Sequence, residues 1–388
     1  MWEGPCILNS AGSGLTRLCL ATINMSAATM PHKTDDAALS SPIRSTSSSS
    51  SEVKDGRLLV NGRPSFRFGI YVYGLNASEW DTLESAGYTT VLTYTNGCPD
   101  SPFDCTPNYT RAFLDNAAER DMKVILSLKD YYNYWNFEPS AKFEREWRST
   151  VSAFKGHQAL LGWYLNDELG PSDVGFNASD LPAQTPWTKT VDMLTTRNAA
   201  VKAADPAHVT NSIVNRWICS ACYASGAWPR TDFMGVYANT SDIIGVDPYA
   251  WKNRTACMSW AASQTDCPNL ETEVDYVDAL MQAYGAGAAA RRGTMCASQI
   301  YDYGATSPEG VSLYSEPSFA VKRAMTWLLP VSGCGGILHY DWRAQFVQSE
   351  NRTANTVLMA NASKSYCSFG KIKNPGTNVD FAFFKIVW

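Results

Sequence analysis

The segment Leu160-Leu161-Gly162-Trp163-Tyr164-Leu165-Asn166-Asp167-Glu168 decides how this chain folds. It runs apolar as far as Leu165 and then stops on an amide and two carboxylates. Near-continuous hydrophobicity marks a strand buried on both faces, the habit of a parallel sheet wrapped in helices. Nothing in folding requires acids at the carboxyl end of such a strand. In a (β/α)8 barrel that end carries the chemistry.

Working outward, short apolar runs alternate with helical periodicity. Candidate strands are Phe66–Tyr71, Thr89–Tyr94, Lys123–Leu128, Leu160–Leu165, His208–Val214, Asp242–Asp247, Met295–Tyr301 and Gly336–Asp341. About eight parallel strands close a barrel. Between them, Phe143, Trp147, Val151 and Phe154 form one apolar helical stripe, Leu270, Val274, Val277, Met281 and Tyr284 a second, and Trp80, Leu83 and Ala86 a shorter one. Gly87 stands where a C-cap glycine belongs. Pro107 suits the first turn of a helix carrying Phe113, Leu114, Ala117 and Ala118. The expected fold is α/β, a single (β/α)8 TIM barrel. A doubly wound dinucleotide fold is disfavoured, because no glycine-rich phosphate turn follows the first strand.

The 388 residues exceed the roughly 250 of a simple barrel. Residues 1–54 read as a leader and a Ser-rich disordered linker, since the Ser45–Ser51 run cannot repay its ordering entropy. Residues 55–345 are assigned to the barrel, opening on a hairpin-like turn at Asn61-Gly62. Residues 346–388 are an edge strand or a truncated accessory segment. A net charge of -5 gives no basic density for a nucleic-acid partner, and no apolar run approaches the ~20 residues of a membrane span. Cysteine pairs (Cys98 with Cys105, Cys219 with Cys222, Cys257 with Cys267) suggest disulfides. Asn-X-Ser/Thr sequons stand at Asn24, Asn76, Asn108, Asn177, Asn239, Asn253, Asn351 and Asn361. Together these point to an oxidising, secreted setting with glycans.

The residues following each strand form one chemical class. Strand one ends in Tyr71 and Tyr73, strand two in Tyr94 and Asn96, strand three in Lys129, Asp130 and Tyr131. Strand four ends in Asn166, Asp167 and Glu168, strand six in Asp247, Tyr249 and Trp251. Strand seven ends in Gln299, Tyr301 and Asp302, and strand eight in Tyr340, Asp341 and Trp342. Acids and amides bind hydroxyls while flat rings cover apolar C–H faces, so the expected partner is a carbohydrate. Several of these residues are ordinary loop polar groups.

Gly162-Trp163-Tyr164-Leu165-Asn166-Asp167-Glu168 resembles the fourth strand of clan A glycoside hydrolases. Phe66-Arg67-Phe68-Gly69-Ile70-Tyr71, after Asn61-Gly62-Arg63-Pro64, resembles the first strand of their β-galactosidase and β-glucuronidase group. Ile243–Tyr249 and Gly336–Trp342 look like strands six and eight of related barrels. The resemblance implies a glycosidase of β-linked sugars with Glu168 as general acid/base, its pKa raised by an apolar flank such as Trp163 or Trp342. Substrate contacts would come from Tyr71, Tyr94, Asn166, Asp167, Asp247, Tyr249, Gln299, Tyr340 and Trp342. The bland reading of Asp167 and Glu168 is an acid pair at a helix start.

The family's nucleophile is a Glu ending strand seven, and Cys296–Tyr303 has none. Gln299 stands there instead, and an amide cannot form the glycosyl ester. Asp302 is the first choice for the second carboxylate, with Asp247, Asp341 and Glu316 as alternatives. The rival expectation is therefore a carbohydrate-binding barrel without hydrolytic power, and a weaker third is a purely structural scaffold. No cofactor or metal is implied. The histidines His32, His157, His208 and His339 make no metal motif, and no Gly-x-Ser-x-Gly elbow exists. His208 and His339 read as structural residues.

Overall fold

The computed structural model describes residues 48–94, 106–131, 141–167, 185–214, 240–247, 293–299, 317, 319–331, 333–341, 369–373 and 380–384. Its first element is a three-stranded antiparallel sheet, β1 (Ser51–Lys54), β2 (Arg57–Val60) and β3 (Arg63–Pro64). Two tight turns build it. Asp55-Gly56 and Asn61-Gly62 both adopt positive φ, 50° and 73° then 51° and 73°, the pairing a type I′ hairpin turn requires.

This corrects the expected extent of the linker, because Ser51–Lys54 is a strand. Serine-rich composition concealed it. The Ser51 hydroxyl donates to the Leu161 carbonyl and accepts from the Val209 amide at 2.9 Å, and the Ser51 amide donates to the Ala207 carbonyl. Asp55-Gly56 is a local hairpin signal within this stretch.

The main sheet is parallel: β4 (Arg67–Val72), β5 (Thr90–Thr93), β6 (Lys123–Ser127), β7 (Leu160–Asp167), β8 (Val209–Val214), β9 (Ile243–Val246), β10 (Gly293–Thr294), β11 (Cys296–Gln299) and β12 (Gly336–Tyr340). Its order is β10-β9-β8-β7-β6-β5-β4-β12-β11. The terminal members are two halves of one run of chain, parted only by Met295. Gly293 and Thr294 pair with β9, whereas Cys296–Gln299 pair with β12. One interrupted strand thus joins both edges, and the sheet closes as a (β/α)8 barrel. All eight expected strands are present within a residue or two. At the closure, a Cβ on Gly245 would strike the Met295 carbonyl and lie 2.6 Å from Ile213 Cδ1. Only glycine permits that approach.

Alternation sorts the side chains into two cores. Tyr71, Leu92, Ile125, Leu161, Tyr164, Val209, Ile213, Ile243, Met295, Ala297 and Leu338 fill the interior, joined by Leu58 and Val60 of β2. The small N-terminal sheet therefore stoppers the barrel at the amino ends of its strands. Outward-facing Ile70, Val91, Val124, Leu126, Trp163, Leu165, Ile244 and Ile337 pack with the helix residues Trp80, Leu83, Phe113, Leu114, Trp147 and Val151.

The helices follow their signals. For α1 (Ala77–Ser85), Asn76 and Glu79 form a reciprocal capping box. It ends at Gly87, φ 79°, where the Gly87 and Tyr88 amides bond the Glu84 and Leu83 carbonyls in a Schellman arrangement. In α2 (Pro107–Glu119), Thr106 caps and Pro107 occupies the first turn. Along α3 (Ala141–Phe154), Trp147, Val151 and Phe154 are buried, and the Phe143 side chain lies outside the described part. Among the described residues, two more helices, α4 (Thr185–Ala204) and α5 (Phe319–Val331), follow β7 and precede β12. The expected stripe Leu270–Tyr284 also lies outside the described residues. In the tail, β13 (Phe369–Lys373) and β14 (Asp380–Phe384) form an antiparallel pair.

A disulfide joins Cys296 of β11 to Cys334 before β12, with Cα atoms 6.0 Å apart. The closely spaced pairs expected from sequence (98/105, 219/222, 257/267) lie outside the described residues. The observed bridge spans 38 positions, so spacing alone did not reveal it. Among the described residues, no helix is long and apolar enough to cross a membrane.

Candidate functional site

The strand-end tyrosines converge because their strands place them at one parity. On β4, Phe68, Ile70 and Val72 face the helices, leaving Tyr71 on the axis and Tyr73 at the same parity one step higher. Leu92 faces the axis on β5, so Tyr94 does too. On β12, Leu338 faces in and Tyr340 repeats it. The rings meet at the carboxyl end of the barrel. Tyr71 lies 5.2 Å from Tyr340 and 6.3 Å from Tyr94 between centroids; Tyr94 lies 5.2 Å from Tyr73 and 6.1 Å from Tyr340. Most of these pairs are tilted or edge-on, as ring quadrupoles favour. The Tyr73 and Tyr340 hydroxyls are 3.2 Å apart.

Strand β7 supplies the acid through an irregularity. Its register with β8 shifts between Tyr164 and Asn166: Tyr164 pairs with Asn211, Asn166 with Ser212, Asp167 with Ile213. The bulge inserts one residue and re-aims those beyond it. Tyr164 and Asp167 therefore share the axis side, and the Tyr164 hydroxyl donates to Asp167 Oδ1 at 2.5 Å. The Asp167 carboxylate also acts electrostatically on a second phenol, Tyr94. Asn166 falls on the other side. Its Nδ2 donates to Ser212 Oγ at 3.2 Å, and Ser212 shares the parity of Thr210, which bonds Asn198 of α4.

Three phenols are held neutral. The Asp167 charge, foremost, and then burial push Tyr94 far above the ordinary phenol value. Burial, aided by Asp167 and Tyr71, does the same to Tyr164, as do burial, Tyr73 and Asp341 to Tyr340. Above the Tyr94 ring, the Lys129 ammonium sits 3.9 Å from the centroid and only 7% exposed. A desolvated cation on a phenol face is worth about 2 kcal/mol. The mouth thus presents a clamped carboxylate, neutral hydroxyls, a cation and apolar ring surface, a mixture suited to a polyol.

Of the residues expected from sequence, the structure gathers Tyr71, Tyr94, Asp167 and Tyr340. Asp247 follows β9 at the parity of Ile243 and is 2% exposed, and Asp341, 7% exposed, follows β12. Gln299 is described in its backbone, which pairs with Tyr340. Glu168, Tyr249, Asp302, Glu316 and Trp342 lie outside the described residues. Sequence reasoning missed Tyr164 as the partner of Asp167, because three residues along a regular strand put two side chains on opposite faces. Only the bulge reverses that. It also missed Asn211, a fully buried amide at the register of Tyr164 whose two polar atoms have no partner among the described residues.

The expected structural histidines are accounted for. His339 bonds the Tyr88 hydroxyl at 3.0 Å and Thr326 of α5 at 3.2 Å, and burial, with the Lys322 charge, lowers its imidazole to about 3. His208 Nδ1 lies 2.8 Å from Asp205 Oδ2, which also accepts from Trp163 Nε1 at 2.8 Å. Among the described residues, no group of three or more His, Cys, Asp or Glu is placed to hold a metal.

No protein-family model matches the chain, and no curated sequence does. Solved structures do. The β-galactosidase of the psychrophilic Marinomonas ef1 aligns with a TM-score of 0.50 at 11% identity, over 76% of this chain and 59% of that one. A GH2 β-galacturonidase from Eisenbergiella tayi aligns at 0.48 and 12%, over 82% and 54%. The Parabacteroides merdae β-glucuronidase aligns at 0.43 and 12%, over 76% and 34%. This chain spans between about a third and three fifths of the length of these structures. At such identity the likeness is one of fold, the (β/α)8 barrel that strand pairing establishes independently.

Proposed function

We propose that this chain is a glycoside hydrolase that cleaves an O-glycosidic bond, β-linked, with Glu168 as general acid/base. One observation carries the reading: a carboxylate, Asp167, is held by the Tyr164 hydroxyl on the axis side at the end of strand four, and Glu168 is the next residue in the chain. The tyrosine cluster supports a sugar as the group bound, since rings cover C–H faces and hydroxyls meet polar atoms. The barrel likeness to a β-galactosidase is consistent with it at the level of fold. Asp302 is the proposed second carboxylate. The carboxylate separation, about 5 Å or roughly 6.5–9.5 Å, decides retention against inversion. The buried Cys296–Cys334 bridge supports an oxidising, extracellular location.

The test is turnover of a panel of aryl β-glycosides by the native chain and by Glu168→Gln and Asp302→Asn. Loss of at least a hundredfold in kcat for Glu168→Gln is expected. Equal nonzero turnover removes Glu168 from the mechanism. A second reading, a sugar-binding barrel without hydrolysis, is favoured by Gln299 standing opposite Tyr340 where a nucleophilic carboxylate is expected. It predicts saturable glycan binding by calorimetry with no product.

A further inference from the structure

We propose that Asn76 is an N-glycan acceptor on the carboxyl-end rim of the barrel. Asn76-Ala77-Ser78 is a sequon, and all three residues are exposed. It follows β4 through a short loop that leaves the barrel on the side of Tyr73. Asn76 is extended, φ -86° and ψ 172°, the usual backbone of a helix N-cap. Its Oδ1 does the structural work, accepting from the Glu79 amide at 3.0 Å and the Ser78 hydroxyl at 2.8 Å. No hydrogen bond among the described residues engages Nδ2, the atom a glycan takes. In the transfer, Nδ2 attacks the anomeric carbon of a lipid-diphosphate-linked oligosaccharide. The N–C bond forms, the carbon–oxygen bond to diphosphate breaks with its electron pair, and the nitrogen loses one proton. The modified amide keeps Oδ1, so the helix cap survives.

Asn108 is the instructive contrast. Its sequon Asn108-Tyr109-Thr110 lies inside the first turn of α2, and Thr110 is 4% exposed. The hydroxyl half of that sequon belongs to the core.

The test is secretory expression of the full chain in a eukaryotic host, followed by enzymatic deglycosylation in heavy-oxygen water and peptide mass spectrometry. Most copies are expected to carry the label at Asn76. Ser78→Ala removes it while leaving the Oδ1 cap on Glu79 intact, so a folding failure does not confuse the result, and Ser78→Thr retains it. An unmodified Asn76 peptide from folded, secreted protein overturns the proposal. So does higher occupancy at Asn108 than at Asn76.

Discussion

Replacing Tyr164 by phenylalanine isolates the bond that holds the mouth carboxylate. Tyr164 is fully buried, and its ring stays in place in the variant, so packing and apolar burial are nearly conserved. What disappears is the hydroxyl, which donates to Asp167 Oδ1 at 2.5 Å and lies 3.4 Å from the Tyr71 hydroxyl. A hydrogen bond to a charged group contributes about 1.5–3 kcal/mol, whereas a neutral one contributes about 1 kcal/mol. Asp167 still interacts electrostatically with Tyr94 in the variant, so a second phenol remains beside the carboxylate and the lower half of that range applies. Tyr164→Phe should therefore cost about 2 kcal/mol. Tyr71→Phe, which loses a longer contact between two neutral hydroxyls, should cost about 1 kcal/mol. Urea unfolding at pH 7, followed by tryptophan fluorescence, reads both from the midpoint at constant slope. If the two variants are equally stable, the Tyr164–Asp167 bond is not the clamp inferred from the bulged strand.

Asp205 offers a test outside the mouth. Burial alone would raise its carboxyl, but bonds from His208, Trp163 and the Ala207 amide outweigh that and hold it below the usual value. A depressed carboxyl contributes stability that is complete above its unfolded value near 4 and is lost as pH falls through the lower folded one. The stability gap between the native chain and Asp205→Asn should be about 1–3 kcal/mol at pH 7 and narrow in acid. A gap constant from pH 7 to 3 contradicts the assignment. Converting Cys296 and Cys334 together to alanine opens a 38-position loop, which in the chain-entropy account costs up to about 4 kcal/mol. Thermal unfolding with and without a thiol reductant measures it, and an unchanged midpoint after verified reduction refutes it.

Where local chemistry and architecture agree, the chain is readable by eye. Asn76 and Glu79, Pro107 and Gly87 announce helix ends because caps satisfy backbone groups within a few residues. The parallel strands announce themselves because burial on both faces demands unbroken hydrophobicity, as in Leu160–Leu165. Failures occur where geometry depends on distant partners. The strand Ser51–Lys54 was hidden by composition, since its order comes from β2 and from hydrogen bonds to Leu161, Ala207 and Val209.

By itself, then, the sequence determined the barrel and its strand count, because alternation and capping are properties of short segments. Tertiary structure alone decided that Asp167 faces the axis. A one-residue bulge between Tyr164 and Asn166 turned Asp167 toward Tyr164 and Tyr94 and sent Asn166 to Ser212. It likewise decided the closure of the sheet by one strand broken at Met295 and the pairing of Cys296 with Cys334. Registers and bridges are settled between segments far apart in the chain, where no local pattern records them.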